Sequence, residues 1–302
     1  MKKENDIRVE MVRMEGDVAP FVRVDYLDKD AQEHSGLFLL DSGSTVNMLS
    51  SEMAECIGAL CKIEGGTSTV MSISQDVVDV DQVRFSFAFG GKQFHETFCL
   101  SSQPLPIAVK DMTVLGLLGN EFLQQHRLVI DYYDYTLHTS EVSPNNLSIS
   151  DCSFFFPMEI GLEFYGLPVL AVKQNGMELV ALVDTGSTSN MIANQALMDK
   201  EFKCKRLKGK DVMRGVGGQV DVDEARVWFN MLSLDGDDVC ELSRRARFLV
   251  LPYNVFTLPD GSCDTKGEQI PPIELLFGSP FLAREEWTLD FGAKIMYKRK
   301  VA

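Results

Sequence analysis

Two segments of this 302-residue chain end an apolar run on a carboxylate and follow it with a hydroxyl, a glycine and a second hydroxyl. They read LFLLDSGST at 37–45 and VALVDTGST at 180–188. Glycine at 43 and 186 permits a tight turn that exposes the preceding carboxylate. The hydroxyls of Ser42 and Thr185, with those of Ser44 and Ser187, can hydrogen-bond the loops and carboxylates into fixed orientations. If the two segments meet, Asp41 and Asp184 converge on one point. Two carboxylates that close share a proton, because like-charge repulsion raises one pKa while hydrogen bonds keep the other group ionised. The ionised group can take a proton from water, and the protonated one can polarise a carbonyl. No metal or nucleophilic side chain is needed for that chemistry, and cofactors are expected to be none.

One D-[ST]-G alone would be weak evidence, since roughly one chain in six of this length holds one by composition. Here the motif belongs to a repeat. DVDQVRF at 79–85 matches DVDEARV at 221–227, LLGNEFL at 117–123 matches LFGSPFL at 276–282, and VID at 129–131 falls on TLD at 288–290. Four landmarks recur in order with offsets of 143, 142, 159 and 159, so the second copy carries about 17 extra residues, expected within 233–270. Each copy reads mainly as strand. FVRVDYL (21–27) and PVLAVKQ (168–174) alternate, FLLD and ALVD are short and wholly apolar, and RFSFAFGGKQF (84–94) is a hairpin around Gly-Gly. Short helices are expected within 50–59, 119–127, 193–202 and 278–286. The expected organisation is an N-terminal lobe at 1–142, a linker at 143–153 and a C-terminal lobe at 154–302.

Composition narrows the partners. The net charge is −15, of which residues 1–150 carry −11. Such an acid excess argues against nucleic acid or an anionic membrane as partner. No run approaches the roughly 18 apolar residues of a membrane helix, and no secretory signal is read at the N-terminus, so a cytoplasmic location is expected. Seven cysteines without a C-x-x-C pair read as reduced thiols, and four scattered histidines offer no zinc spacing, so no metal is expected. KCKRLKGK (203–210) reads as a solvated basic face, and Trp228 and Trp287 as packing residues.

DSGST and DTGST, each paired with a downstream LLG or LFG, resemble the aspartic proteases, specifically their retropepsin-like branch. The resemblance spans about residues 20–298 as two fused copies. It implies an all-β fold of two pseudo-twofold-related, closed β-barrel-like lobes, and an endopeptidase acting on a polypeptide substrate. It further implies Asp41 and Asp184 as catalytic dyad, Ser42 and Thr185 as hydroxyl cross-links, and Leu117–Gly119 and Leu276–Gly278 packed beside the loops. A monomer then supplies both aspartates. Gly215, Val216, Gly217 and Gly218 resemble a glycine-rich flap tip over substrate; the first copy has SISQD at 72–76 instead, so a shorter or stiffer counterpart is expected there. Serine as the fourth motif residue in both copies suggests extra donors to the carboxylates and an acid-shifted activity. The alternative from another class is a non-hydrolytic peptide-binding or scaffold protein that keeps the double lobe.

Overall fold

The computed structural model describes residues 6–14, 17–57, 61–71, 77–101, 112–141, 152–158, 160, 166–215, 218–235, 238–255 and 272–299. Its first lobe runs β1 (Arg8–Glu10), β2 (Val12–Met14), β3 (Asp17–Leu27), β4 (Glu33–Asp41), β5 (Met48–Ser50), α1 (Ser51–Ile57), β6 (Cys61–Met71), β7 (Val77–Phe89) and β8 (Lys92–Ser101). It closes with β9 (Val114–Gly119), α2 (Asn120–Gln125), β10 (Leu128–Asp131) and β11 (Thr136–Thr139). The second repeats the order: β12 (Cys152–Pro157), β13 (Val169–Gln174), β14 (Met177–Asp184), β15 (Met191–Ala193), α3 (Asn194–Asp199), β16 (Cys204–Gly215), β17 (Gly218–Asp235) and β18 (Asp238–Leu251). Then follow β19 (Ile273–Gly278), α4 (Ser279–Arg284), β20 (Thr288–Asp290) and β21 (Ile295–Arg299). The fold is all-β, with four short helices among the described residues, each inside its expected segment. Of the expected linker, 143–151 lies outside the described residues, and Cys152 and Ser153 open β12.

Each lobe is one sheet curled on itself. The strand order β2-β3-β4-β9-β5-β8-β7-β6 closes through β3–β7, and β13-β14-β19-β15-β18-β17-β16 closes through β13–β17. In β3 the alternation works as read: Val22 and Val24 are buried while Arg23 and Asp25 are exposed. Leu37–Leu40 are all buried because β4 separates two packed layers, Leu37 and Leu39 on one side and Phe38 and Leu40 on the other. Phenylalanines fill the barrels. Phe38, Phe87 and Phe98 have ring centroids 5.1–6.1 Å apart in lobe 1, and Phe277 lies 5.1 Å from Phe229 and 4.8 Å from Phe281 in lobe 2. The Gly90–Gly91 turn joins β7 to β8 with φ of +59° and +77°, the left-handed pair a two-residue hairpin of matching twist requires.

The extra residues of the second copy enter at two places. Val83 pairs with Phe98 where Ala225 pairs with Phe248, so the offset grows from 142 to 150 across the β17–β18 hairpin. Between β18 and β19 it grows again to 159, as Val114 pairs with Leu37 and Ile273 with Val180. The longer hairpin and the longer connection together absorb the difference.

A third, six-stranded sheet in the order β1-β11-β10-β20-β21-β12 joins the lobes. Its twofold passes between β10 and β20, where Val129 pairs with Asp290, Ile130 with Leu289 and Asp131 with Thr288. The VID and TLD landmarks are therefore the two central strands. Both their aspartates are buried. Asp131 accepts from Thr288 Oγ1 at 3.3 Å and is ion-paired to Arg299, which also donates to Asp134 at 2.9 Å. Asp290 accepts from Ser140 Oγ at 2.7 Å and the Ala293 N–H at 2.8 Å, yet burial pushes its carboxyl above the ordinary value.

Candidate active site

Asp41 is the last residue of β4 and Asp184 the last of β14. Both strands run parallel to the strand carrying the later glycine, so Asp41 pairs with Gly119 and Asp184 with Gly278. A side chain at Gly119 would overlap the Val46 carbonyl, and one at Gly278 the Ser189 carbonyl. The LLG and LFG segments thus lie against the turns they were expected to flank, and only glycine allows that approach.

Across the pseudo-twofold, the two turns are stitched by four hydrogen bonds. The Ser42 N–H donates to Thr185 Oγ1 at 3.0 Å, and the Thr185 N–H donates to Ser42 Oγ at 3.0 Å. Ser42 Oγ then donates to the Val183 carbonyl and Thr185 Oγ1 to the Leu40 carbonyl, each at 2.7 Å. Both residues are fully buried, and each hydroxyl gives one bond and takes one. Gly43 and Gly186 bring the turns still closer: a methyl group on Gly43 would occupy the space of the Asp184 carboxyl, and one on Gly186 that of Asp41.

The two carboxyls are hydrogen-bonded to each other, and both residues are half-buried. Asp41 accepts from the Gly43 N–H at 3.0 Å; Asp184 accepts from Gly186 N–H at 2.9 Å and Ser187 N–H at 3.0 Å. Burial raises both pKa values, Asp184 well above the ordinary carboxylate value because the Asp41 charge and their shared bond add to it. That bond works in the opposite direction on Asp41. Both carboxyls are shifted upward and each is coupled to the other, so they titrate as a pair that can hold one proton between them.

Two expectations are corrected here. Ser44 Oγ and Ser187 Oγ donate to the carbonyls of Val46 and Ser189, at 2.8 Å each, and not to the carboxylates. The carboxylates are met instead by the backbone N–H groups of Gly43, Gly186 and Ser187. The extra donors that would have shifted the pair toward acid are absent, and burial moves both groups upward instead. The second correction concerns the β6–β7 and β16–β17 hairpins. Met71 pairs with Val77 and Arg214 with Gln219, equivalent positions in the two copies, so the first hairpin is not the shorter one. Both arms carry a bulge at the matching place, between Lys62 and Thr67 and between Arg206 and Lys210, and the arm lengths follow from the shared barrel. Gly215 pairs with Gly218; Val216 and Gly217, like SISQD at 72–76, lie outside the described residues.

Two positioning residues escaped the sequence reading. Asn47 Oδ1 accepts the Gly119 N–H and Asn190 Oδ1 the Gly278 N–H, each at 2.9 Å. Their amide groups donate onward to the Thr97 and Arg247 carbonyls at 3.3 and 2.9 Å. Each asparagine buckles its motif to the LLG or LFG strand. The signal was present as an asparagine six residues after each aspartate, just beyond the matched stretch. Among the described residues, no cluster of three or more His, Cys, Asp or Glu is placed to hold a metal ion.

The fold is similar to that of the aspartic proteinase from Irpex lacteus in its crystal structure, with a TM-score of 0.50, 12 % identity, and 98 % of each chain covered. No protein-family model matches the chain, and no curated protein matches its sequence. The likeness is one of overall fold.

Proposed function

We propose that the chain is a single-chain aspartic endopeptidase of retropepsin-like type, in which Asp41 and Asp184 activate a water against a peptide bond. The observation that carries this reading is the pair of hydrogen-bonded, half-buried carboxyls, one from each repeat, on turns locked by the Ser42–Thr185 bonds. Ionised Asp41 takes a proton from the water as its oxygen bonds to the scissile carbonyl carbon, and Asp184 gives its proton to the carbonyl oxygen. The tetrahedral adduct collapses as the C–N bond breaks. The departing nitrogen receives the proton held by Asp41, and the hydroxyl of the adduct returns its proton to Asp184. Atoms and charges balance, and the pair again holds one proton.

The substrate lies extended between the lobes, its backbone available to strand edges, with the hairpin ending at Gly215–Gly218 closing over it. A single chain supplies both aspartates and acts as a monomer, in the cytoplasm, on polypeptide rather than nucleic acid or membrane. The test is cleavage of an unfolded polypeptide from acidic to neutral pH, with and without an aspartic-protease transition-state inhibitor. Inhibitable cleavage lost in both Asp41→Asn and Asp184→Asn is expected; identical cleavage by wild type and both variants refutes the reading.

A further inference from the structure

The outer face of the β16–β17–β18 sheet departs from the acidity of the rest of the chain. Lys205, Arg226 and Arg247 stand directly abreast on the three strands. In the adjoining row Trp228 pairs with Arg245, and its half-exposed ring has Lys203 Nζ 5.3 Å and the Arg245 guanidinium 5.6 Å from its centre. All five cations are exposed. Lys205 and Arg226 make no ion pair among the described residues, and Arg247 pairs with Glu224. Next to them Arg284 donates to the Arg245 carbonyl at 3.0 Å, while Arg244, Arg284 and Lys298 converge on the one carboxylate of Glu285. The fold does not demand this strip: the positions of Trp228 and Arg245 are Ser86 and His95 in lobe 1. Nor is it the solvated run read from 203–210 alone, because three distant segments contribute to it.

Beside the strip, a cavity of about 380 Å³ is lined by Arg247 and Arg284, by the carboxylates of Glu224 and Asp211, and by Thr188–Asn190 at and just beyond the end of the second motif. We propose that this face docks an acidic segment of the polypeptide substrate, lying outside the residues that enter the cleft. Carboxylates pair with the guanidinium row, and the segment's aliphatic stems lie on Trp228. This rests on the protease reading and names its substrate class. A peptide is favoured over a longer polyanion because residues 1–150 carry −11 and would repel a duplex or a membrane plane, whereas a short segment can touch lobe 2 alone.

The test has two arms. In the first, fluorescence anisotropy of a labelled oligoglutamate peptide is titrated with the full chain near neutral pH and low salt, with Trp228 emission followed in parallel. Binding that weakens with salt, and about tenfold in the exposed double variant Arg226→Glu/Arg245→Glu, is expected. Arg226→Gln/Arg245→Gln, which introduces no new charge, should show a smaller loss with an unchanged melting curve. Equal binding by wild type and the reversed variant, or none by wild type, overturns the proposal. So does tighter binding of single-stranded DNA or of phosphatidylserine vesicles, or a dimer in sedimentation that the variant dissolves. In the second arm, kcat/KM is compared for substrates identical except for an acidic or neutral flank. The acidic-to-neutral ratio should fall about tenfold in the reversed variant, through KM. Cleavage with no flank preference overturns the docking alone, whereas peptide binding without any cleavage overturns the protease reading and leaves the docking face standing.

Discussion

Asp184 and Asp41 are half-buried, and the loss of part of their water raises the cost of charging them. A carboxyl whose pKa is raised in the folded state contributes stability below its unfolded value and loses it as pH rises toward the folded one. Asp184→Asn, isosteric and uncharged, should therefore abolish cleavage and raise neutral-pH stability by about 0.5–2 kcal/mol, as measured by urea unfolding. The gain should vanish in acid, where wild-type Asp184 is protonated in both states. Gly186→Ala acts differently: its methyl group would push the Asp41 carboxyl out of register, lowering kcat by about 100-fold or more. Stopped assays on the purified variant would read that loss. At this scale the sequence was informative, because D-[ST]-G-S occurs twice and each atom of the motif has a place in the turn. Where it misled, at Ser44 and Ser187, a hydroxyl had two acceptors within reach, and only coordinates say which one it takes.

Strands deliver these residues, and the strands that matter most are the parallel pairs β4–β9 and β14–β19 and the antiparallel pair β10–β20. Alternation and apolar runs made most of them legible, and the Gly-Gly hairpin could be placed to the residue. Pairing partners were not legible. VID and TLD matched each other as repeats, yet nothing in either tripeptide said that they would lie side by side across the twofold. The burial of Asp131 and Asp290 follows from that pairing, as does the reach of Arg299 to Asp131. Removing this guanidinium leaves the buried carboxylate without its counter-charge but still held by Thr288 Oγ1 and the Tyr133 and Asp134 N–H groups, so Arg299→Met should cost about 1–3 kcal/mol in chemical denaturation. Ser140→Ala removes the 2.7 Å donor to Asp290 and should cost about 1.5–3 kcal/mol at neutral pH. Because the Asp290 pKa is raised, that cost should shrink in acid, once the carboxyl is protonated and no longer depends on the donor.

For the molecule as a whole, duplication is the organising fact. Each lobe builds a closed barrel, and neither can supply more than one carboxyl to the cleft. The interlobe sheet fixes their relation, with Val129–Asp131 against Thr288–Asp290 at its centre. The proposed action as a monomer makes a clear prediction: mixing inactive Asp41→Asn with inactive Asp184→Asn should restore no activity at any protein concentration. Activity appearing in the mixture would mean that lobes exchange between chains. The copies have also diverged, with a longer β17–β18 hairpin and a basic outer face in lobe 2 where lobe 1 keeps Ser86 and His95. Repeat matching reveals what the copies share; what they do not share surfaces only when strands are assembled into faces. The central claim is that both repeats contribute to one proton-sharing pair, and the pH profile of kcat/KM on an unfolded polypeptide tests it most directly. A bell is expected, its basic limb above the ordinary carboxylate range, and its disappearance in Asp184→Asn. A flat profile, or a bell that survives that substitution, would contradict the account.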